Sequence, residues 1–164
     1  MPEKKTIERA ERDKRQGKSP STQAGEFVRE EMHHVREGKH GARSPQQAIA
    51  IGLSKARRAG VPLQPPKKGK ASSATRRSAS NALKRGHSRK KPSARRSRAV
   101  LGALRREGYG AASRASLARQ ARSAARRRGT RSLSAAAQKA VRTKGRRGRV
   151  AAARKAARTR ARRG

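Results

Sequence analysis

Apolar residues recur at helical spacing mainly between residues 20 and 60. When residues 20–37 are wound as an α-helix, the apolar side chains form one stripe, made of Ala24, Phe27, Val28, Met32 and Val35. Pro20 is compatible with the first turn of this helix, and Gly38 is typical of the residue that ends one. The pattern predicts an amphipathic helix over residues 20–37.

A second helix is predicted over residues 45–59, because residues typical of both helix ends flank it. Ser44 is suited to the N-cap, Pro45 to the first turn, and Gln47 completes a capping box. Gly60 is typical of the residue that ends a helix. One face of this helix is apolar or small and consists of Ala48, Ile49, Gly52, Leu53 and Ala56.

The short connection of residues 39–43 would fold these two helices into a hairpin. We expect its packing side chains to be Phe27, Val28, Met32, Val35, Ile49 and Leu53. Gly52 would allow close backbone approach. The core is small and Ile51 projects away from it, so either a charged, solvated helix near residues 6–16 or a second copy of the chain should cover it. A homodimer through the hairpin is therefore a hypothesis.

Charge divides the chain more sharply than hydropathy does. Residues 1–60 hold 14 basic and 8 acidic side chains, net +6, whereas residues 61–164 hold 34 basic and 1 acidic, net +33. Residues 61–70 contain three prolines and should form an extended linker. The predicted organisation is a helical module over 1–60, a linker over 61–70, and an Arg/Lys/Ala/Ser-rich tail over 71–164.

The fold class expected is all-α, with a mostly disordered basic tail that contains short Ala/Arg-rich helices. Ala and Arg favour helix, but like charges such as Arg122 and Arg126 at i, i+4 spacing oppose it until an anion neutralises them. With only two aromatic residues in 164, the chain offers the tail little core to pack on. We therefore expect the tail to fold on binding.

A net charge of +39 exceeds what solubility requires and predicts a polyanionic partner. Arg guanidinium groups bind phosphate in bidentate fashion, and counterion release favours each contact. The residues expected to bind nucleic acid are the clustered cations Lys67, Lys68, Lys70, Arg76, Arg77, Arg89, Lys90, Lys91, Arg95, Arg96, Arg126, Arg127, Arg128, Arg146, Arg147 and Arg149. Double-stranded DNA, bound without sequence preference, is the first expectation.

Several alternatives share this charge pattern. The protein could bind RNA or ribosomes, or the hairpin could be an adaptor for a protein partner while the tail only localises it. The hairpin could also read DNA as a helix-turn-helix. Residues 144–149 resemble an AT-hook but lack its Arg-Gly-Arg-Pro core. Binding to a membrane surface is less favoured, because the tail lacks a bulky apolar face.

The sequence predicts no enzyme, cofactor or metal site. Cys is absent, Asp13 is the only Asp, and the abundant Ser lies in low-complexity sequence that offers no preorganised pocket. Glu30 and His33, like Glu31 and His34, have the Glu-x-x-His spacing of helical metal sites, but we interpret them as a solvated helix face. Without a secretion signal or an apolar span, a cytoplasmic, nucleoid location is expected.

Residues 47–60, QAIAIGLSKARRAG, resemble a motif of a family of small basic bacterial proteins of unknown function. That resemblance implies no activity and no functional residue. The C-terminal half is similar in composition to bacterial histone H1-like nucleoid proteins. This second resemblance implies a histone-like protein that condenses or bridges DNA.

Overall fold

Helices make up all the regular secondary structure of the residues described by the computed structural model, 2–86 and 93–162, which contain no strand. The α-helices are α1 (Lys4–Arg15), α2 (Pro20–Arg36), α3 (Pro45–Arg58), α4 (Ser73–Gly86), α5 (Ala94–Arg105) and α6 (Arg114–Ala161). A 3-10 helix spans Gly110–Ala112. The all-α prediction is confirmed. The chain divides into two compact units, residues up to Gln120 and residues from Ala121 onward.

Both helices of the predicted hairpin begin and end close to where the sequence placed them. At the end of α2, Gly38 has φ of 73°, and the Lys39 amide donates to the His34 carbonyl at 3.0 Å. Ser44 caps α3 by accepting a hydrogen bond from the Gln47 amide at 3.2 Å. The Gln47 side chain accepts from the amide of Arg43, one residue before the N-cap. The capping residues therefore fix these two boundaries.

The core of the hairpin consists of two clusters that share the α2–α3 contact. Met32, Val35 and Ala48 are buried in the first, with Val28 and Ile49 packed against it. The second is built around buried Phe27, with Leu53 packed against it, and its other buried members are Ala10, Ala24, Ala56 and Val61. All six predicted packing residues lie in these clusters.

The first helix is not the fully solvated element that its charge suggested. Thr6, Ala10 and Asp13 are buried in the contact between α1 and α2, and Ile7 packs against the Phe27 cluster. Arg9 forms an ion pair with Glu26 of α2 at 3.0 Å. Small residues at i, i+4 spacing let α1 approach α2 closely, so α1 covers one side of the hairpin.

The prediction that residues 71–164 are mostly disordered is wrong, since α4, α5 and α6 lie in this region. Serine side chains cap two of these helices: Ser72 accepts from the Thr75 amide and Ser113 from the Ser116 amide, both at 3.2 Å. Ala and Arg are good helix formers, and their propensity outweighs the like-charge repulsion that we expected to prevent folding.

Part of this basic region also packs on the hairpin. Ala79 and Ala82 of α4, which contacts α3, are buried. The buried Ala111 and Ala112 belong to the Met32 cluster, and Leu117 packs against it. Since helices of the same chain cover the hairpin on several sides, a second copy is not required to bury it. Homodimerisation stays a prediction.

Backbone hydrogen bonds join the α2–α3 loop to the last turn of α5 and to the residues after it. The Gly41 amide donates to the Leu104 carbonyl at 2.9 Å, and the Ala42 amide donates to the Gly108 carbonyl at 3.0 Å. Arg36 Nε donates to the carbonyl of Ala112 at 2.9 Å. These bonds satisfy polar groups of a partly buried loop and attach residues 104–112 to the hairpin.

The segment predicted as a linker, residues 61–70, contains no helix, as its prolines require. Its first residues nevertheless lie against α3, because Val61 is buried in the Phe27 cluster. Arg57 Nε donates to the Leu63 carbonyl at 2.9 Å. Burial lowers the pKa of the Arg57 guanidinium. Arg57 Nη2 also donates to the Gln64 carbonyl at 3.3 Å, so residues 61–64 are attached to the end of α3.

The long helix α6 is interrupted twice by glycine. Gly129 has φ of 75° and ψ of 163°, and Gly145 has φ of 62° and ψ of −180°, so neither is helical. No described residue of α6 is buried. In the described ranges 2–86 and 93–162, no helix has the length and apolar character needed to cross a membrane.

Candidate nucleic-acid interface

The acidic side chains that could neutralise cations lie almost entirely in the first 37 residues. Among residues 2–86 and 93–162, every ion pair joins two residues between Glu3 and Lys55. The sequence has no Asp or Glu after Glu107. The cations of α6 therefore have no acidic side chain within their own helix.

Helix α6 contains seventeen Lys and Arg residues in 48 positions, and all seventeen are exposed. At a rise of about 1.5 Å per residue, this is one positive charge per roughly 4 Å of helix. Duplex DNA carries one negative charge per about 1.7 Å of its axis. A helix lying along a duplex could thus match a large fraction of the phosphates beside it.

The cations of α6 lie in all three of its helical sections, and its bulky apolar side chains are limited to Leu117, Leu133, Val141 and Val150. Such a helix is a poor candidate for insertion into a lipid surface, which needs a bulky apolar side. It can contact phosphates in several orientations. Such a helix is suited to a polyanion of high charge density and does not require a particular nucleotide sequence.

The structure describes thirteen of the sixteen cations that the sequence singled out. Lys67, Lys68 and Lys70 are exposed in the non-helical segment, with Gly69 between them at φ of 81°. Arg77 of α4 and both Arg95 and Arg96 of α5 are exposed, whereas Arg76 is half-buried. Arg89, Lys90 and Lys91 lie outside the described residues.

The remaining predicted cations flank the two glycine breaks of α6. Residues 126–128 directly precede Gly129, and Arg146, Arg147 and Arg149 directly follow Gly145. All six are exposed. A shallow, open depression on this part of α6 is lined by Arg146, Arg147, Val150, Ala151 and Arg154. The breaks thus have dense positive charge beside them.

Other cations of α6 lie outside the clusters seen in the sequence and are equally exposed. These are the remaining basic residues of α6: Arg114, Arg119, Arg122, Arg131, Lys139, Arg142, Lys144, Arg154, Lys155, Arg158 and Arg160. Residues four apart lie on the same side of a helix, so isolated cations contribute to the surface as much as adjacent ones. Recognising residues 114–161 as helical sections would have identified them.

A second group of polar residues lies inside the α2–α3 contact, where the sequence predicted a solvated face. Glu30 and Glu31 are 3% and 0% exposed. Lys55 of α3 places Nζ 2.6 Å from Glu31 Oε2 and 3.4 Å from Glu30 Oε1. The solvated interpretation is therefore wrong for these carboxylates, and it holds for His33, which is exposed.

The burial of Glu31 could have been predicted from spacing. It is four residues after Phe27 and four before Val35, which places it on the apolar stripe of α2. Its charge, in contrast, indicates a side chain exposed to solvent. In the structure Lys55 balances that charge instead, as a buried carboxylate requires.

Two histidines lie beside these buried carboxylates, and one of them also contacts Glu3 near the N-terminus. His40 Nε2 lies 3.2 Å from Glu31 Oε1, and His34 Nε2 lies 2.9 Å from Glu3 Oε1. Two hydrogen bonds lower the pKa of the Glu3 carboxyl. The bond with His34 has the larger effect, and the bond with Lys39 has the smaller one. The Glu3 amide donates to Glu30 Oε2 at 3.1 Å. These contacts attach the start of α1 to α2.

Comparison with known proteins adds no relative. No protein-family model, no curated protein and no solved structure matches this chain. The resemblances noted in the sequence therefore stay predictions.

Proposed function

We propose that this protein binds duplex DNA without sequence preference, through phosphate contacts made by its basic C-terminal helix. In this proposal it acts as a nucleoid-associated, histone-like protein that condenses or bridges DNA. The observation that carries the proposal is the charge of α6, whose seventeen exposed cations have no acidic residue among them. Counterion release makes neutralisation of phosphates by such a helix favourable.

The absence of a base-reading element supports nonspecific binding. The chain has one Phe, one Tyr and no Trp, which is too few for a surface that stacks unpaired bases. Arg is well suited to bidentate phosphate contacts, which position a protein on a duplex but carry no sequence information. The glycine breaks at Gly129 and Gly145 would let successive sections of α6 follow a curved phosphate backbone.

The first unit has a different role in this proposal. Most of its acidic residues are paired with cations of α1, α3 or the loops that follow α1 and α2, so they repel a nucleic acid less. In this proposal the first unit is a folded module that does not itself supply the main phosphate contacts. The hairpin could bind a further partner at the same time as α6 contacts the phosphates.

The experiment that tests the partner class is competition between duplex DNA and structured RNA for the full chain. At ~0.2 M salt we expect DNA to be preferred and the affinity to fall steeply as salt rises. A slope of log K against log salt steeper than about −5 would correspond to six or more phosphate contacts.

Two results would overturn the proposal. A clear preference for structured RNA would assign the protein to RNA instead. Affinity for both polyanions that does not change with salt would exclude phosphate neutralisation as the source of binding.

A further inference from the structure

We propose that Glu31, His34 and His40 form a binding site for a zinc ion in the N-terminal unit. One donor atom from each residue lies within 4.8 Å of the other two. Two imidazoles and one carboxylate are a donor set that zinc uses when a fourth position is left for water or another ligand. The site is independent of the nucleic-acid function proposed above.

The spacing of two of these donors already fits a tetrahedral zinc. Zn–N and Zn–O bonds of about 2.0–2.1 Å place neighbouring donors about 3.3 Å apart. His40 Nε2 and Glu31 Oε1 are 3.2 Å apart. His34 is on the same face of α2 as Glu31, three residues later, and its donor nitrogen lies within 4.8 Å of the donors of Glu31 and His40.

Hydrogen bonds around His40 orient it as a ligand. Its Nδ1 lies 3.0 Å from the Gly41 carbonyl, which can only accept, so Nδ1 carries the proton and donates. Nε2 then faces Glu31 Oε1. A backbone carbonyl that binds the far nitrogen of an imidazole is the usual support of a metal-ligating histidine.

The carboxylate of Glu31 is buried and incompletely satisfied. Both oxygens are shielded from solvent and neither makes a well-directed hydrogen bond, although Lys55 Nζ lies 2.6 Å from Oε2. Lys55 compensates the charge at Oε2 and leaves Oε1 beside His40 Nε2. A cation at that position would supply the partner that a buried carboxylate oxygen requires.

Glu3 is the candidate for the fourth ligand. Its Oε1 lies 2.9 Å from His34 Nε2, beside the proposed ion. A zinc ion held by these four residues would join the start of α1, the last turns of α2 and the following loop. It would therefore stabilise the end of the hairpin where Gly41 binds the carbonyl of Leu104.

The test is equilibrium dialysis of the full, metal-stripped chain against zinc alone at neutral pH. We expect one zinc per chain, and a loss of affinity of at least about tenfold in His40→Ala and in Glu31→Gln. His33→Ala is the matched control, because His33 is exposed beside His34 and lies outside the cluster. It should bind zinc as the unaltered chain does. Absence of saturable binding by the unaltered chain would overturn the proposal.

A second measurement uses only the unaltered protein, so its result does not depend on whether the variants fold. In NMR spectra of the unaltered protein, zinc should shift the imidazole resonances of His34 and His40 and leave those of His33 unchanged. Zinc that instead perturbs His33 or His87, with His34 and His40 unchanged, would also overturn the proposal.

Discussion

Gly52 of α3 lies against the backbone of Val28 of α2, so closely that a Cβ at position 52 would be 2.7 Å from the Val28 Cα. The neighbouring atoms belong to the backbone and cannot move aside as a flexible side chain would. The close approach of the two helices therefore depends on glycine at this position.

Gly52→Ala should destabilise the protein although alanine favours helix by about 1 kcal/mol. Separating α2 from α3 costs more than this, so we expect the free energy of unfolding to fall by about 1–2 kcal/mol. Urea unfolding of both proteins, followed by circular dichroism, measures the difference.

Gly25→Ala is the matched control for this substitution. Gly25 is exposed within α2, and no atom lies within 4 Å of a Cβ built there. This variant should gain up to about 1 kcal/mol. If Gly52→Ala were stabilised to the same extent, close helix packing would not be the reason for glycine at position 52.

Gly41→Ala should detach residues 104–112 from the hairpin. A Cβ at Gly41 would overlap the Glu107 carbonyl, so the hydrogen bond from the Ala42 amide to the Gly108 carbonyl could not keep its geometry. We expect a loss of about 1–3 kcal/mol of stability and faster hydrogen exchange at the Ala42 amide.

Gly108→Ala is the corresponding control, since a Cβ at Gly108 meets no atom within 4 Å. Its Ala42 amide should exchange at the unaltered rate. Equal exchange at Ala42 in all three proteins would mean that the region after α5 does not pack on the α2–α3 loop.

Helices α2 and α3 could be predicted because their boundaries are encoded locally. Ser44, Gln47 and Gly38 act through hydrogen bonds to neighbours within five residues, so a single sequence contains the necessary information. The apolar stripes of the two helices likewise identified which faces meet.

The packing of the remaining helices could not be predicted, because alanine supplies the contacts. Ala10, Ala79 and Ala112 are buried, yet each lies in sequence that is otherwise charged or of low complexity. An alanine favours helix whether or not it packs, so its presence does not indicate burial. Glu31 was missed for the opposite reason, since its charge concealed its position on the apolar stripe.

Lowering the pH should release Glu3 from His34 and Lys39. These hydrogen bonds hold the pKa of the Glu3 carboxyl below its ordinary value of 4.5. A lowered pKa means that ionised Glu3 stabilises the folded state above pH 4.5, and that this contribution is lost as the pH falls through the folded pKa.

NMR titration of the Glu3 carboxyl in the metal-free protein measures this pKa directly. We expect a midpoint below 4.5 in the unaltered chain and a higher one in Lys39→Met, which removes the second of the two hydrogen bonds. A midpoint at or above 4.5 in the unaltered chain would show that these contacts do not form in solution.

Gly145→Ala should remove one of the two breaks in α6. Gly145 combines φ of 62° with an extended ψ, a conformation essentially restricted to glycine, and no atom surrounds a Cβ there. Alanine should adopt helical angles instead and make the helix continuous. Carbon chemical shifts of residues 144–146 report the change.

Gly148→Ala provides the comparison for this variant, because Gly148 lies inside a helical section of α6 and its Cβ would make only an ordinary contact with Lys144. It should leave the chemical shifts at Gly145 non-helical. Non-helical shifts that persist in Gly145→Ala would contradict the account of the break.

The most direct test of the central claim compares two variants of the full chain with equal net charge. One replaces six cations of α6 with Gln: Arg126, Arg127, Arg128, Arg146, Arg147 and Arg149. The other replaces six exposed cations of α1 and α2 with Gln: Lys4, Lys5, Arg12, Lys14, Arg15 and Arg29. The salt dependence of duplex DNA affinity is measured for both.

The α6 variant should bind more weakly, with a salt slope shallower by about 0.9 for each phosphate contact removed, and the α1–α2 variant should keep the slope of the unaltered chain. Equal losses in the two variants would mean that net charge alone determines binding, and an unchanged slope in the α6 variant would contradict the claim that α6 contacts the phosphates.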